Sequence, residues 1–450
     1  MKKRSEIKDQ PDVKDKRETG ENRRTDDLFT KRTELVQNFK AVRFFSCTLC
    51  NPLKTEDYVI QSMPDASPAK WHLAHTSWFF ENFVLKKFIN NYSFYNPVFN
   101  YLFNSYYVQA GNFFTRSMRG LVSRPTVSDV CDYRKHIDDN VLEFLDKASD
   151  KEVDEAAPLI ELGLNHEQQH QELILTDIKH MFSLNPLYPI YCNVKESPVV
   201  HTPPIEWLSF DEGITRIGYD GKGFSFDNER PVHNVYLEPY KLASRLVTNG
   251  DYLDFIEAGG YSHPELWLSD GWAIAEQEQW QAPLYWQKRD GEWLNFTLGG
   301  LMKLNPSEPV CHVSFYEADA YARWAGFRLP KEEEWEAAAS DHPIDGNFVE
   351  NGIFHPAPVM HNIASPVLHQ MYGDVWEWTS SPYTPYPGFK PLQGTLGEYN
   401  GKFMANQMVL RGGSCATSLW HIRRTYRNFF HPEKRWQFTG IRLAKDVPAI

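Results

Sequence analysis

The sequence predicts a two-domain α+β protein in which an N-terminal four-helix bundle precedes a C-terminal α+β domain with long loops. The chain has 450 residues, and hydrophobic side chains make up 42% of it, which is enough for two cores of ordinary size. Apolar residues recur at helical spacing as far as about residue 182. A proline-rich stretch follows at 183–206. Beyond it, the sequence has short segments in which apolar and polar residues alternate, separated by Gly, Pro, Asn and Asp.

The order of these sequence patterns along the chain predicts three segments. Residues 1–30 carry many charges and almost no apolar side chains, so we expect a disordered tail there. Residues 31–195 are expected to form the helical domain, and residues 196–450 are expected to form the α+β domain. The proline-rich stretch is the predicted linker between the two domains.

Within the first domain, four segments have the spacing of amphipathic helices, at about 31–45, 67–88, 126–147 and 155–182. In the second of them Ser67 can cap the helix, and Pro68 suits its first turn. Trp71, His75 and Trp78 then share one face, which should point into the bundle. Bundles of this kind commonly hold metal sites between their helices.

The second domain reads differently, as strands and helices joined by long loops. In the segments HNVYLEPYKLA at 233–243 and MVLRGG at 408–413, apolar and polar residues alternate as they do in β-strands. Two helices are expected at about 315–326 and 330–339. The Gly, Pro, Asn and Asp residues between such segments indicate long loops.

The bulk properties argue against several classes of protein. The formal net charge is −12 and no long basic run follows the N-terminus, which argues against a nucleic-acid partner. The longest apolar stretches are shorter than the roughly 20 residues that a membrane span needs, and the N-terminus lacks the apolar core of a secretory signal. Six scattered cysteines, with one C-x-x-C at Cys47 and Cys50, are interpreted as reduced thiols. We therefore expect a cytoplasmic protein without a membrane or nucleic-acid partner.

The strongest chemical signal is the segment His166-Glu-Gln-Gln-His170 in the fourth predicted helix. A helix turns by about 100° per residue, so the two imidazoles lie about 40° and one turn apart, and they can hold one metal ion. Two histidines are too few for a stable site, so a third ligand should come from another helix. His72 and His75 are the candidates, and we prefer His75 because it lies on the inward tryptophan face.

Other residues of the same helix are placed by the same geometry. Gln169 lies about 60° from His166 and can face the metal pocket, whereas Glu172, at about 120°, is a poor candidate for a ligand. Asp177 lies about 20° from His166 but two or more turns further on. It can support the site by bonding to a ligand rather than to the metal.

The residue types leave the metal and the chemistry open. Three neutral imidazoles suit Zn(II) or Fe(II), and ligand type alone does not separate the two ions. Glu167 after His166 also completes an H-E-x-x-H pattern, which is typical of zinc proteases. That alternative needs a third zinc ligand downstream, and His180 is the histidine available for it.

Longer segments around these residues resemble a known enzyme family. SPAKWHLAHTSWFFE at 67–81, NSYY at 104–107 and HEQQHQE at 166–172 resemble the helical half of ergothioneine-type sulfoxide synthases, whose bundle is similar to the DinB family. The second half resembles the formylglycine-generating-enzyme fold, a variant of the C-type lectin fold. This second resemblance is carried by VSFYEA at 313–318, RLP at 328–330, EEWE at 333–336, GDVWEW at 373–378, RGGS at 411–414 and TGIRL at 439–443.

The resemblance implies a non-haem iron enzyme. It implies that His75, His166 and His170 hold Fe(II), in agreement with the helical geometry. The implied reaction uses O2 to join the thiol of cysteine to C2 of the imidazole of hercynine, which is Nα-trimethylhistidine, and it leaves a sulfoxide. The expected partners are therefore small molecules: hercynine, O2 and a thiol donor.

The resemblance also implies roles for residues around the metal. Gln169 matches a position that contacts substrate, and Arg116 and Arg119 resemble a pair that binds the carboxylates of the thiol donor. Tyr106 and Tyr107 are the candidates for a proton-donating acid or for ordering the pocket.

Residues 428–430 bear on the identity of the thiol donor. Asn428-Phe429-Phe430 matches a segment that reads Asn-Trp-Asp in one branch of the family, where the acid binds the amine of γ-glutamylcysteine. Phe430 replaces that acid here, which favours free cysteine over γ-glutamylcysteine. Phe429 and Phe430 are expected to hold the trimethylammonium group by cation–π contact.

Other functions are alternatives at this point. Within the family, histidine (ovothiol type) or a selenium donor (selenoneine type) is an alternative substrate. A zinc-dependent thiol transferase on a DinB-like bundle predicts activity without O2, and a binding protein without activity is a third possibility. The copper chemistry of true formylglycine-generating enzymes needs a pair of cysteines, and Cys415 after RGGS has no second cysteine close by in sequence.

Overall fold

Two packed units make up the structure, a helical bundle and a domain of short strands and helices. The structure is a computed structural model that describes residues 15–193, 197–359 and 367–447, with side chains from residue 30 onward. Helices come first along the chain, and short strands mixed with helices follow them. This order confirms the predicted α+β architecture.

Four long helices form the bundle, and a short helix lies beside them. They are α1 (Asp15–Cys50), α2 (Ala69–Phe80), α3 (Pro97–Phe103), α4 (Val127–Lys147) and α5 (Asp150–Ser183). α2 continues through a π-helical turn at Glu81–Leu85 and ends with Lys86–Phe88. α1 packs on α5, and α2 packs on both α4 and α5. The short α3 was not predicted, whereas the four long helices were.

Local hydrogen bonds explain where α4 and α5 begin. Thr126 and Ser149 each cap their helix in a reciprocal pattern, in which Asp129 or Glu152, three residues on, bonds back to the cap. The second of these patterns starts α5 at residue 150 rather than at the predicted 155. The longer helix extends the surface that α5 offers to its neighbours.

The predicted tail at 1–30 is corrected in its second half. Residues 1–14 lie outside the described residues, but α1 already begins at Asp15. Lys, Arg and Glu, which are frequent in this stretch, have high helix propensity. Once residues 31–50 are helical, each residue added before them gains a backbone hydrogen bond without a new nucleation step.

In the C-terminal domain, the described strands form four small sheets. One antiparallel sheet has the order β1-β4-β12, with β1 at Trp207–Phe210, β4 at Tyr240–Ala243 and β12 at Ala444–Asp446. The largest has the order β10-β9-β8-β11, with β8 at Trp376–Pro382, β9 at Met408–Arg411, β10 at Asn428–Phe430 and β11 at Thr439–Gly440. β11 runs parallel to β8, and the other pairs of this sheet are antiparallel.

Two further antiparallel sheets lie at the sides of this domain. They are β2 (Gly213–Ile217) with β3 (His233–Leu237), and β5 (Trp286–Arg289) with β6 (Glu292–Thr297) and β7 (Gly300–Lys303). The domain also contains α6 (Asn249–Glu257), α7 (Ser269–Gln277), α8 (Phe315–Trp324) and α9 (Glu332–Ala338). The predicted strands correspond to β3, β4 and β9, and the predicted helices to α8 and α9, whereas α6 and α7 were not predicted.

Tyr191 in the linker contacts both units. Between Ser183 and Trp207 the described residues form neither helix nor strand, as the prolines there predict. Tyr191 donates its hydroxyl to the carbonyl of Leu49 in α1 at 2.6 Å, and its N–H donates to Leu298 at 2.9 Å. The predicted boundary at 195–196 lies outside the described residues and stays a prediction.

Among the described residues, no helix combines the length and the apolar character that crossing a bilayer requires.

Candidate metal centre

Helix α5 is buried on every side where it carries the predicted site. The positions 166–168 and 170–172 are buried, which is the pattern of a helix surrounded by protein rather than of a surface helix. Toward α1, Gln171 donates to the carbonyl of Val42 at 2.9 Å. Toward the C-terminal domain, Glu172 accepts hydrogen bonds from Trp376 and Ser414. The remaining face of the segment points to α2.

On that face, three histidines converge. Nε2 of His166 lies 3.2 Å from Nε2 of His75 in α2 and 3.1 Å from Nε2 of His170. All three side chains are buried, and their ligand atoms lie within 4.8 Å of one another. The structure therefore brings together the three residues that the sequence proposed as metal ligands.

The second ring nitrogens of two of these histidines have partners that suit metal binding by Nε2. His75 Nδ1 donates to the carbonyl of Phe103 at 2.5 Å. His170 Nδ1 lies 2.8 Å from Nδ1 of His72, whose Nε2 lies 3.0 Å from Asp177. One placement of the protons satisfies this chain of hydrogen bonds: His170 donates to His72, and His72 donates to Asp177. It leaves Nε2 of His170 unprotonated and free to bind a metal.

Burial keeps these imidazoles neutral. It lowers the pKa of His166 to about 3 and the pKa of His75 and His170 well below the usual range, and neighbouring histidines lower the latter two further. Neutral imidazole is the form that binds metal ions. The donor set therefore fits a divalent ion such as Fe(II) or Zn(II), with three protein ligands and further positions for substrates.

The hydrogen bonds that link His170 through His72 to Asp177 lead to a testable prediction. In the His72→Phe variant, the metal should still bind, but about 10–100-fold more weakly, because the partner that orients His170 is lost. Titration of the apo-protein against a competing chelator measures this affinity. Unchanged affinity would show that His72 is dispensable, and complete loss of binding would show that it is a ligand itself.

Glu167 does not face the histidine cluster, which contradicts the protease alternative. Its carboxylate forms an ion pair with Arg43 at 2.9 Å, a second one with Arg134, and a hydrogen bond with Ser46 at 2.6 Å. Burial would raise the pKa of Glu167, but the charges of Arg134 and Arg43 outweigh burial and lower it to about 2. A carboxylate held in this way is not available as a general base at the metal. His180 is bonded to Ser62 instead, at 2.7 Å.

A cavity of about 280 Å³ opens beside the metal centre, between the two domains. His170 and Gln169 contribute to its wall from α5. Its other lining residues come from bundle loops, from α5 and from the C-terminal domain: Asp65, Tyr106, Arg116, Glu172, Leu173, Phe403, Gln407, Tyr426, Asn428, Phe429, Phe430, His431, Lys434, Trp436 and Gln437. The site is thus completed only when both domains are present, as is common for ligand pockets.

The two tyrosines proposed as acids lie at different depths. Tyr106 lines the cavity, and Lys402 lies 4.6 Å above its ring. Tyr107 is fully buried, stacked on Tyr106 at 4.6 Å and packed on Trp78 at 5.5 Å. Burial raises the pKa of both hydroxyls above the usual range, so both keep their protons at neutral pH. Because it lines the cavity, Tyr106 is the better placed of the two to reach a substrate.

Gln169 is held between two tyrosines that the sequence analysis did not identify. Its amide donates to Tyr426 at 2.6 Å, and its oxygen accepts a hydrogen bond from Tyr399. The ring of Tyr399 also packs on His166, with 5.6 Å between ring centres. Tyr399 therefore belongs to the site, and no local pattern could have found it, because it lies 230 residues from Gln169 in the chain.

The two predicted arginines are separated by the structure. Arg116 lines the cavity, and its guanidinium donates to the carbonyl of Asp65. Arg119 is buried, lies 3.3 Å above the ring of Trp71 and donates to Ser67 at 2.9 Å. The same contact occupies the hydroxyl that was expected to cap α2, so the predicted Ser67 cap is wrong.

Arg119 contacts the metal centre indirectly, through Trp71. Trp71, which it covers, stacks on the imidazole of His75 with 4.6 Å between ring centres. Arg119 does not line the cavity, so this geometry does not favour the predicted contact between Arg119 and a substrate carboxylate. The packing instead makes it a residue that holds a metal ligand in place.

Strand β10 forms an aromatic side of the cavity. Asn428, Phe429 and Phe430 all line it, as the sequence proposed for substrate-binding residues. Phe403 stacks on Phe429 with 6.1 Å between ring centres, and Trp436 packs edge-on against Phe430 at 5.4 Å. Together with Tyr106, these residues make this side of the cavity aromatic, which suits a cationic or flat ligand. One face of Phe429 is already stacked on Tyr383, with 4.0 Å between ring centres.

Cys415 has a neighbour that spacing along the chain did not indicate. Cys311 lies near enough to influence its titration, and both thiols are buried. Burial raises the pKa of Cys415 well above the usual range and that of Cys311 to about 12. Both thiols are therefore protonated at neutral pH.

Comparisons with known proteins agree with this architecture. The family model of the sulfatase-modifying factor enzyme 1-like domain matches residues 204–447. The hercynine oxygenase of Mycolicibacterium smegmatis is 34% identical over 321 residues, covering 64% of this chain and 71% of the relative. The hercynine oxygenase of Mycobacterium tuberculosis is 38% identical over 243 residues, covering 50% of this chain and 56% of the relative.

The C-terminal domain has further relatives. The formylglycine-generating enzyme of Streptomyces coelicolor is 31% identical over 277 residues, covering 50% of this chain and 84% of the relative. The match with the first hercynine oxygenase covers 64% of this chain, which is more than the part matched by the family model at residues 204–447. The chain therefore belongs to the hercynine oxygenase family, and its residues 204–447 form a sulfatase-modifying factor enzyme 1-like domain.

Proposed function

We propose that this protein is an Fe(II)-dependent sulfoxide synthase that joins hercynine to cysteine with O2. The chain is an oxidoreductase of the hercynine oxygenase family, and a relative from Schizosaccharomyces pombe is named for ergothioneine biosynthesis. The single observation that carries the proposal is the convergence of His75, His166 and His170 beside a cavity rich in aromatic side chains.

Iron is proposed over zinc because of the chemistry required. Fe(II) held by the three Nε2 atoms would supply redox chemistry with O2, which the d¹⁰ Zn(II) ion lacks. The ligand set does not depend on this choice. The protein contributes neutral, oriented imidazoles, and their second nitrogens are held by Phe103 and His72.

The cavity wall is proposed to select hercynine by its permanent cation. A trimethylammonium group carries no N–H, so it cannot form hydrogen bonds and is best bound by aromatic faces. Phe403, Phe429, Phe430 and Trp436 line the cavity and are the candidates to provide such faces. Gln169, fixed by Tyr399 and Tyr426, is the candidate to orient the imidazole ring, because its side chain is already held in one position.

Tyr106 is proposed as the proton donor, and Tyr399 as the hydrogen-bond donor that fixes Gln169. Burial raises the pKa of each hydroxyl above its usual range, so each is a hydrogen-bond donor throughout the neutral range. Tyr399 already donates to Gln169, while Tyr106 lines the cavity. Tyr107 lies behind Tyr106 and is proposed to order the pocket by packing.

Free cysteine is proposed as the thiol donor. Two carboxylates line the cavity, and both already have partners: Asp65 pairs with Lys434 at 2.7 Å, and Glu172 accepts from Trp376 and other donors. Phe430 occupies the position at which the other branch of the family has an acid. At that position a γ-glutamyl ammonium group would therefore meet an aromatic ring instead of a carboxylate.

We also propose that the protein works in the cytoplasm. All six of its cysteines lie within the described residues, and all six are unpaired. Free thiols in this number are typical of a reducing compartment.

The proposal is tested by reconstitution. The purified protein is loaded anaerobically with Fe(II) and mixed with hercynine and either cysteine or γ-glutamylcysteine, and O2 uptake and product mass are recorded. We expect an O2-dependent sulfoxide adduct of cysteine, and no adduct from the His170→Ala variant, which lacks a ligand.

Other outcomes point to specific alternatives. No adduct with either thiol, despite bound iron, would contradict the hercynine proposal and favour histidine or a selenium donor. Thiol transfer that needs Zn(II) but not O2 would favour a zinc-dependent transferase instead. Adduct formation from γ-glutamylcysteine in preference to cysteine would contradict only the proposed thiol donor.

A further inference from the structure

Two cations of the substrate cavity meet at a single aspartate. Lys434, from the C-terminal domain, pairs with the carboxylate of Asp65 at 2.7 Å and with Glu433 at 3.1 Å. Arg116, from the bundle, donates to the backbone carbonyl of the same Asp65. Arg116, Lys434 and Asp65 all line the cavity that also contains the metal ligand His170.

This cluster is partly open to solvent, so its members can exchange partners. The side chain of Lys434 is 25% exposed and that of Asp65 is 36% exposed. An ion pair in such a position contributes little to stability, because water competes for both charges. A substrate carboxylate that enters the cavity can therefore replace the Asp65 carboxylate at low cost.

From this geometry we infer that Lys434, together with Arg116, binds the carboxylate of the thiol donor. The inference rests on the proposed function and replaces Arg119 by Lys434 in the predicted carboxylate-binding pair. Arg119 is buried against Trp71 and Ser67, whereas Lys434 lines the cavity and its ammonium group is paired with Asp65, another residue of the cavity wall. Asp65 then holds the lysine in position until the substrate arrives.

The test compares two thiols that differ by one group. Cysteine and cysteamine share the thiol and the ammonium group, but only cysteine has a carboxylate. In the Lys434→Met variant, we expect kcat/KM for cysteine to fall by about tenfold, the size expected for a charge-assisted hydrogen bond, with little change for cysteamine. Lys434→Arg should restore most of the preference for cysteine, because it keeps the charge.

A second variant changes the other partner of the ion pair. Asp65→Asn removes the competing carboxylate, so the preference for cysteine over cysteamine should rise. Any effect of Asp65 on the substrate ammonium cancels in this ratio, because both thiols carry that group. Lys303→Met is the matched control, since it breaks an exposed ion pair with Glu292 of similar length, 2.8 Å, outside this cavity.

The outcomes separate this inference from the proposed function. If Lys434→Met lowers activity equally with both thiols, or Asp65→Asn lowers the preference for cysteine, Lys434 is only a contact between the domains and the inference fails. If no thiol gives an adduct even in the unmodified protein, the proposed function fails instead. The carboxylate site is supported if Lys434→Met lowers kcat/KM selectively for cysteine and Asp65→Asn raises the preference for cysteine over cysteamine.

Discussion

The His166→Ala variant is expected to keep its fold and to lose both iron and activity. His166 is the central member of the cluster, since its Nε2 lies within 3.2 Å of the Nε2 atoms of both other histidines. Loss of a ligand should cost more than the 10–100-fold in metal affinity that is typical of losing an outer partner, and product formation should fall by about 10³-fold or more.

The fold is expected to survive because few contacts are lost. Nδ1 of His166 has no hydrogen-bond partner in the described part of the chain, so alanine leaves no buried donor unpaired on that side. Metal content and circular dichroism are measured together with product formation. The control is His180→Ala, which removes a histidine of the same helix that bonds to Ser62. Stoichiometric iron in His166→Ala, or iron loss in His180→Ala, would contradict this assignment of ligands.

The Glu167→Ala variant is expected to lower the free energy of unfolding by about 3–5 kcal/mol. Glu167 neutralises Arg43 and Arg134, and both guanidinium groups are buried. Removing the carboxylate leaves Arg134 without its ion-pair partner beside a second buried positive charge, Arg43, which keeps only its ion pair with Asp138 at 2.6 Å. Urea denaturation of the iron-free protein measures the change. Glu155→Ala, which removes an exposed carboxylate of the same helix, is the control and should change stability by less than about 0.5 kcal/mol.

The same residue should affect how stability depends on pH. The pKa of Glu167 is about 2 in the folded protein and near the ordinary value of 4.5 when unfolded. Its contribution is therefore fully present above about pH 4.5 and is lost as the pH falls toward about 2. The unmodified protein should lose stability across this window more steeply than Glu167→Ala. Equal slopes for both proteins would contradict the role of Glu167 as the buried counter-ion.

Local spacing was sufficient for the part of the site that lies within helices. The separation of four residues between His166 and His170, and the inward face that carries His75, follow from helical geometry alone, and the structure brings these three side chains together. The same geometry placed Gln169 on the cavity and Asp177 behind the ligands. It could not show that His72 lies between Asp177 and His170.

The capping of α2 and the start of α1 show where local patterns were insufficient. Ser67 has the composition of a cap, yet its hydroxyl is bonded to Arg119, a residue from a distant turn. The charged residues before residue 31 resemble a tail in composition, yet the helix that begins at Asp15 runs through them. At Ser67 a tertiary contact replaced the local capping bond. Before residue 31, helix propensity and the adjoining helix outweighed the lack of apolar side chains.

The sequence by itself determined the order of the two domains and the identity of the histidine cluster. Both depend on periodicity, and the period of a helix is a property of the backbone that distant residues do not change. Only the tertiary structure decided which cations and aromatic rings face the cavity. Arg116 and Arg119 are equally plausible by spacing, but packing against Trp71 buries one and leaves the other beside Lys434. That choice depends on segments hundreds of residues apart, whose approach is set by the packing of the two domains.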